Sequence, residues 1–171
     1  MSSAIRRGCL AAAISTLLMV QGPPIRAESA SFTDPDDVNL PLDLKTLSHE
    51  NDASTVTYTV ETYEAFKDTD ADFRWGIDKN NDKKVDNFVS VEFDGQLLAT
   101  VEDADENQIG HATVTRVGPA SLRVTFSRDV LGGVASYGYQ VRALSDKNGN
   151  GEADPGETDM APDTGFYQHR L

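Results

Sequence analysis

The sequence predicts an all-β protein, an antiparallel β-sandwich of jelly-roll-like type with about eight strands. Apolar and polar residues alternate in several short segments, which is the pattern of strands with one buried face. Glycine, proline, aspartate and asparagine cluster between these segments, as expected of turns. No segment keeps helical periodicity over about twelve residues. A length of 171 residues suits one domain of this class.

We expect residues 1–27 to be a secretory signal peptide and residues 28–171 to form the single β-sandwich domain. Arg6 and Arg7 give a basic start, an apolar run follows, and Ala27 ends a stretch suited to cleavage. The apolar run is too short to span a membrane, and no other stretch approaches the required length. The predicted location is therefore extracytoplasmic, either secreted or periplasmic.

Acidity limits the partners that the mature chain can have. Removal of residues 1–27 takes away three arginines, no acid and the only cysteine, so the formal charge moves from −13 to −16. Nucleic acids and anionic membranes need basic surface, so neither is an expected partner. Without cysteine the exported domain has no disulfide, and a bound divalent cation would offset its self-repulsion locally. Calcium is the expected cofactor.

The first half of the predicted domain contains three alternating segments, 38–44, 54–64 and 73–77. Pro41 places the first segment at a sheet edge, because proline cannot donate a ladder hydrogen bond. Trp75, in the third segment, shares its parity with other large apolar side chains, which favours core packing. Four acids in or before the first segment either face water or belong to a second cation site: Asp34, Asp36, Asp37 and Asp43.

The second half alternates in the same way. Asp94-Gly95 is a hairpin signal, and Gly118-Pro119 turns the chain between two further strands. The predicted strands cover 89–93, 97–101, 109–117, 122–126 and 136–143.

Residues 146–157 carry the ligand order of an EF-hand calcium loop. Oxygen-bearing side chains occupy positions one, three, five, nine and twelve, and Gly151 occupies position six, where the backbone turns sharply. Glu152, at position seven, would contribute its backbone carbonyl. The alternative is a polar turn, because asparagine, glycine and aspartate dominate turns. The predicted calcium ligands are Asp146, Asn148, Asn150, Glu152, Asp154 and Glu157.

The segments around this loop favour a β scaffold. An alternating strand precedes it, and Pro155 and Gly156 stand where an EF-hand would begin its second helix. We therefore expect a structural or binding site and not a helix-opening sensor.

A weaker copy of the ligand pattern follows the strand that contains Trp75. It offers oxygens at positions one, three, five and nine, but Val89 stands at position twelve and lysines intervene. A hairpin connection without metal explains the segment nearly as well. The second candidate metal site consists of Asp78, Asn80, Asp82 and Asp86.

Several short motifs together resemble those of secreted bacterial modules with a DOMON-like or carbohydrate-binding jelly-roll fold. They are Phe32-x-Asp34-x-x-Asp37, Leu42-Asp43-Leu44, a strand ending in Asp78, the loop from Asp146, and Asp159-x-Ala161-Pro162-Asp163. The resemblance implies structural calcium binding and, in some modules, sugar binding. Asp159 and Asp163 either complete a coordination shell or are loop residues.

The sequence contains no catalytic motif that we recognise. His49, His111 and His169 lack zinc spacing, and neither a Gly-x-Ser-x-Gly elbow nor a phosphate-binding glycine loop occurs. We therefore predict a non-catalytic calcium-binding module, whose partner would be extracellular polysaccharide or another surface protein. The alternative is a carbohydrate-binding module with its ligand on exposed aromatic residues: Tyr63, Trp75 or Tyr139.

Overall fold

The computed structural model describes residues 28–145 and 156–171. The predicted signal peptide and most of the predicted calcium loop, residues 146–155, lie outside these ranges. Two short 3-10 helices accompany the strands, at Asp68–Asp70 and Arg128–Leu131. The strands are β1 Ser29–Thr33, β2 Leu44–Asn51, β3 Thr55–Thr62, β4 Phe73–Asp78, β5 Asn87–Phe93, β6 Leu97–Asp103, β7 Gln108–Gly118, β8 Ser121–Ser127, β9 Ser136–Leu144, β10 Thr158–Ala161 and β11 Tyr167–Arg170.

All eleven strands belong to one antiparallel sheet that curls into a half-barrel, in the order β1-β2-β3-β8-β7-β6-β5-β4-β9-β10. Strand β7 joins the two halves, because its beginning pairs with β6 and the remainder pairs with β8. Strand β9 pairs with β4 along one edge. Its other edge pairs with β10 near its end and with β11 near its beginning.

The prediction of an all-β antiparallel fold is confirmed, but the fold has more strands than the sequence predicts. The strand order does not establish jelly-roll connectivity. The predicted strand over 38–44 is wrong, because β2 begins only at Leu44. Pro41 cannot donate a ladder hydrogen bond, and a turn in which Asp43 N donates to Leu40 O occupies this segment instead.

Aromatic side chains from both halves of the sheet fill the space between them. The Tyr58 ring of β3 lies nearly parallel to the Trp75 ring of β4, with 5.8 Å between centroids. Phe126 of β8 and Tyr139 of β9 pack against the same Tyr58 ring. All four side chains are buried, so the fold is sandwich-like, with its core between the two halves.

A seam forms where β1 and β2 meet β10 and β11. Phe32 of β1 stacks on Tyr167 of β11 at 4.1 Å between ring centroids. Behind this pair, the buried rings of His49 and His169 stack at 3.6 Å. The stack of Phe32 on Tyr167 therefore joins the first and last strands of the described chain. Nδ1 of His49 also lies 2.9 Å from the Tyr139 hydroxyl of β9.

Among the residues that the structure describes, no helix has the length and apolar character needed to cross a bilayer.

Candidate cation site

Three carboxylates converge at one end of the seam and are called the acidic triad here: Asp34, Asp37 and Asp159. Asp34 directly follows β1, Asp37 lies in the connection to β2, and Asp159 lies in β10. One oxygen from each side chain lies within 4.8 Å of the corresponding oxygens of the other two. Residues separated by more than a hundred positions in the sequence therefore offer their ligand atoms to one point.

Hydrogen bonds to the backbone position two of the triad residues, Asp34 and Asp159. Asp34 N donates to Lys45 O at 2.9 Å, which extends the pairing of β1 with β2 by one residue. Leu44 N donates to Asp159 Oδ2 at 2.6 Å, and Met160 N donates to Asp159 Oδ1 at 2.7 Å. The Asp159 carboxylate is thus oriented by two amides, one from the start of β2 and one from its own strand.

Burial makes these carboxylates costly unless something compensates their charge. Asp34 is only 5 % exposed and Asp159 only 3 % exposed. Oδ2 of Asp34 is buried without a hydrogen-bond partner among the described residues, and so is Oδ1 of the neighbouring Asp43. A buried polar atom without a partner loses the solvation that it had in water. The acids at this site therefore have buried acceptor atoms that no described residue uses.

The pKa values of these acids reflect the same environment. Burial, followed by the negative charge of Asp159, raises the pKa of Asp34 to about 7. Burial and Asp159 also raise the pKa of Asp43, to about 6. For Asp159 itself, burial raises the pKa, while the amides of Leu44 and Met160 oppose the increase. A cation at the triad would reverse the repulsion that raises these values.

The donor set suits a hard cation. Calcium takes six to eight oxygens at about 2.3–2.6 Å, so two ligands on opposite sides of the ion lie about 4.6–5.2 Å apart. Oxygens within 4.8 Å of one another satisfy that limit. Three carboxylates supply at most six oxygens, and oxygen ligands alone do not separate calcium from magnesium or manganese. The triad is therefore a candidate site for a divalent cation of this class.

The predicted calcium loop lies next to the triad in the sequence. Its ligands Asp146, Asn148, Asn150, Glu152 and Asp154 fall outside the described residues. The described flanks are strands on both sides, β9 before the loop and β10 after it. Ser145 N donates to Glu157 O at 2.8 Å, which holds the two ends of the loop together. Asp159 follows Glu157 by two residues, so the end of the predicted loop leads directly into the strand that carries one of the triad carboxylates.

The second candidate metal site forms a tight turn. Both Asp78 oxygens accept backbone amides, Oδ1 from Asp82 and Oδ2 from Lys83. The side-chain oxygens of Asn80 and Asp86 likewise accept amides within the turn. These hydrogen bonds close the connection between β4 and β5, and both the metal site and the metal-free hairpin stay predictions for this segment.

Only one of the three proposed platform residues presents an exposed ring. Tyr63 is 39 % exposed, whereas Trp75 and Tyr139 are each 1 % exposed. The hypothesis of an exposed ligand platform is therefore corrected for Trp75 and Tyr139, which pack in the core. Their alternation with polar residues already favoured burial, whereas Tyr63 follows the end of β3.

Sequence reasoning identified the triad residues but not their grouping. The sequence predicts that the acids at positions 34, 36, 37 and 43 either face water or belong to a second cation site. It predicts that Asp159 and Asp163 either complete a coordination shell or are loop residues. The spacing of acidic residues along the sequence cannot show that β10 lies beside β2. The grouping of the three carboxylates therefore depends on tertiary structure. The contact of β10 with β2 brings them together.

No protein-family model matches this chain, and comparisons with curated proteins and with solved structures gave no significant match.

Proposed function

We propose that this protein is an exported, non-catalytic calcium-binding β-sandwich module in which calcium acts structurally. The observation that carries the proposal is the acidic triad, in which Oδ2 of Asp34 is buried without a hydrogen-bond partner among the described residues. Carboxylates that approach one another inside a folded chain repel, and a divalent ion converts that repulsion into attraction.

The position of the triad supports a structural role for the ion. Asp34 and Asp37 belong to the connection between β1 and β2, and Asp159 belongs to β10. An ion bound to all three would link the first strands to a late strand without a disulfide. A site that exists only in the folded chain stabilises it by mass action, by about 2.7 kcal/mol when calcium is at a hundred times its dissociation constant.

Extracytoplasmic location and the finer fold type also belong to the proposal. The basic and apolar start of the chain supports export. The packing of aromatic rings between the two halves of the sheet supports a sandwich, and the DOMON-like motifs support a jelly-roll-like type.

Calcium titration of the decalcified protein tests the proposal directly. We expect heat of binding and a higher melting temperature in calcium than in chelator, since the ion binds only the folded state. Asp37→Asn removes an exposed triad ligand, Glu157→Gln removes the last predicted loop ligand, and Asp94→Asn is a control of equal charge change in the β5–β6 turn.

The variants assign the site. Loss of one binding event in Asp37→Asn, with Asp94→Asn unchanged, would place an ion at the triad. If Glu157→Gln is the one variant that loses calcium binding, the ion binds in the predicted loop and not at the triad. A melting temperature that does not respond to calcium in the unmodified protein would refute the proposal.

A carbohydrate-binding module is the second candidate function, because Tyr63 remains an exposed aromatic ring. This function would be favoured if the protein is retained on insoluble polysaccharide and if Tyr63→Ala abolishes retention without changing the melting temperature. Failure to bind any member of a broad glycan panel would argue against it.

A further inference from the structure

Two buried histidines face each other across the seam and are called the histidine stack here: His49 of β2 and His169 of β11. Their rings are nearly parallel, with an interplanar angle of 15° and 3.6 Å between centroids. His49 is 2 % exposed and His169 is 0 % exposed. An imidazolium ion in this place would lose its hydration, and a second imidazolium at this distance would repel it. The closed seam therefore favours two neutral rings.

Hydrogen bonds fix the proton positions of neutral His169. Glu28 N donates to Asn51 Oδ1 at 3.0 Å, which identifies this atom as the amide oxygen. Nε2 of His169 lies 3.1 Å from the same oxygen, so Nε2 carries the proton and Nδ1 is an acceptor. The Tyr137 hydroxyl donates to Nδ1 at 2.7 Å and accepts from the Tyr58 hydroxyl. A second proton on His169 would remove the acceptor of the Tyr137 hydroxyl and break this chain of hydrogen bonds.

His49 has no place for a second proton either. Its Nδ1 lies 2.9 Å from the Tyr139 hydroxyl. Its Nε2 is buried without a hydrogen-bond partner among the described residues. When both ring nitrogens carry protons, the proton on Nε2 therefore has no described acceptor in the closed seam.

The groups around the histidine stack also resist its protonation. Burial, followed by the charges of His49 and Arg128, lowers the pKa of His169 to about 3, and burial lowers the pKa of His49 to about 4. Glu28 is a nearby acid, and its charge adds to the effect of burial in raising the pKa of Tyr137. The remaining neighbours are uncharged: Phe32 of β1, Asn51 of β2, Tyr58 of β3, Tyr139 of β9 and Tyr167 of β11.

We propose that protonation of His49 and His169 opens the seam at acidic pH, so that β1 and β11 separate while the hairpins at the centre of the sheet stay paired. Both strands are short, and each pairs with one neighbour, β2 for β1 and β9 for β11. When the charged rings leave the seam, Phe32 and Tyr167 lose the packing that covers these strands. The opening does not require calcium, because neither histidine belongs to the acidic triad.

Hydrogen exchange between pH 7 and pH 5, with each rate divided by the intrinsic rate at that pH, tests the proposal. The contribution of the neutral histidines to closure is complete above pH 6.5 and is lost as the pH falls below it. Linkage then increases the open population up to about 500-fold over this range for two histidines, and about 20-fold for one. We expect β1 and β11 to lose at least about tenfold more protection than the β5–β6 hairpin. Equal loss in all strands would overturn the proposal in favour of global unfolding.

Variants that cannot take up the proton assign the effect to the histidine stack. His169→Gln keeps an amide donor for Asn51, and His49→Asn keeps a polar atom for Tyr139. Each should reduce the pH-dependent loss of protection in β1 and β11 at least about fivefold relative to the unmodified protein. His111→Gln is the matched control, because His111 is an exposed histidine of β7, and it should change nothing. An unchanged pH response in both His169→Gln and His49→Asn would overturn the proposal.

The acids near the seam are separated from the effect in two ways. The variants retain Asp34 and Asp43, whose raised pKa values change stability in the opposite direction, so this contribution cancels in the comparison. We expect the loss of protection in saturating calcium and in chelator alike, and a loss confined to calcium would overturn the proposal in favour of ion release.

A titration of the unmodified protein keeps the test decisive if the histidine variants do not fold. NMR follows the imidazole signals of all three histidines as the pH falls. We expect His111 to titrate first, and the signals of His49 and His169 to change together with the loss of protection in β1 and β11. Titration of either stacked histidine near pH 6.5, with both strands still protected, would overturn the proposal.

Discussion

Asp34 is a residue whose protonation affects the stability of the cation-free protein. Its pKa is about 7 in the folded chain, against 3.8 as the ordinary value. Between pH 3.8 and about pH 7, Asp34 holds a proton in the folded chain but has released it in the unfolded chain, and this difference in proton binding favours folding. The contribution is complete below pH 3.8 and is lost as the pH rises through about 7.

We therefore predict that, in chelator, the free energy of unfolding of the unmodified protein falls relative to that of Asp34→Asn as the pH rises from 4 to 8. The difference is at most a few kcal/mol. Urea unfolding of both proteins at several pH values measures it. His49 and His169 titrate in both proteins, so their opposite contribution cancels in the difference. Parallel pH profiles would contradict the prediction.

Tyr137 occupies the centre of the hydrogen-bonded group behind the seam. Its hydroxyl accepts from the Tyr58 hydroxyl at 2.9 Å and lies 2.7 Å from His169 Nδ1. We predict that Tyr137→Phe lowers the free energy of unfolding by about 1–3 kcal/mol, because two buried polar groups lose their partner. Tyr167→Phe is the matched control, since the Tyr167 ring packs on Phe32 outside this group. Equal effects in chemical unfolding would show that the hydrogen bonds contribute little.

At the level of elements, β10 is the strand that should respond most to calcium. It is four residues long and carries Asp159. The Asp159 carboxylate accepts a hydrogen bond from the backbone amide of Leu44 at the start of β2. We predict that calcium slows amide hydrogen exchange in β10 and at Leu44 by tenfold or more, whereas the β5–β6 hairpin changes little. Mass spectrometry of the exchanging protein measures both regions. Uniform slowing across all strands would mean that the ion does not act through β10.

Local patterns predicted the strands from β3 to β9, but they missed β1 and β2, although these two strands are neighbours in the sequence. Alternation in 54–64 and 73–77 corresponds to β3 and β4, and Asp94-Gly95 forms the predicted turn, with Gly95 at a φ of +71°. β10 and β11 escaped detection because strands of four residues are too short to show periodicity. Their pairing with the two ends of β9 depends on tertiary contacts. The acidic triad was unpredictable as a group for the same reason.

At the level of the whole molecule, a strongly acidic chain brings the first and last strands of its sheet together beside three converging carboxylates. The seam is held at one end by rings and hydrogen bonds around His49 and His169, and the acidic triad lies at the other end. Cation binding would thus act where repulsion opposes closure most. The two ends of the seam differ chemically, so acid and chelation should weaken different parts of it.

The seam also determines the order in which the protein can acquire its shape. The hairpins β5–β6 and β7–β8 join neighbours in the chain, whereas the contact between Asn51 and His169 spans 118 positions. Distant contacts close late because they require a long loop to be ordered first. Until β11 is in place, Phe32 and His49 lack the rings of Tyr167 and His169 that cover them, so β1 and β2 keep an exposed aromatic surface.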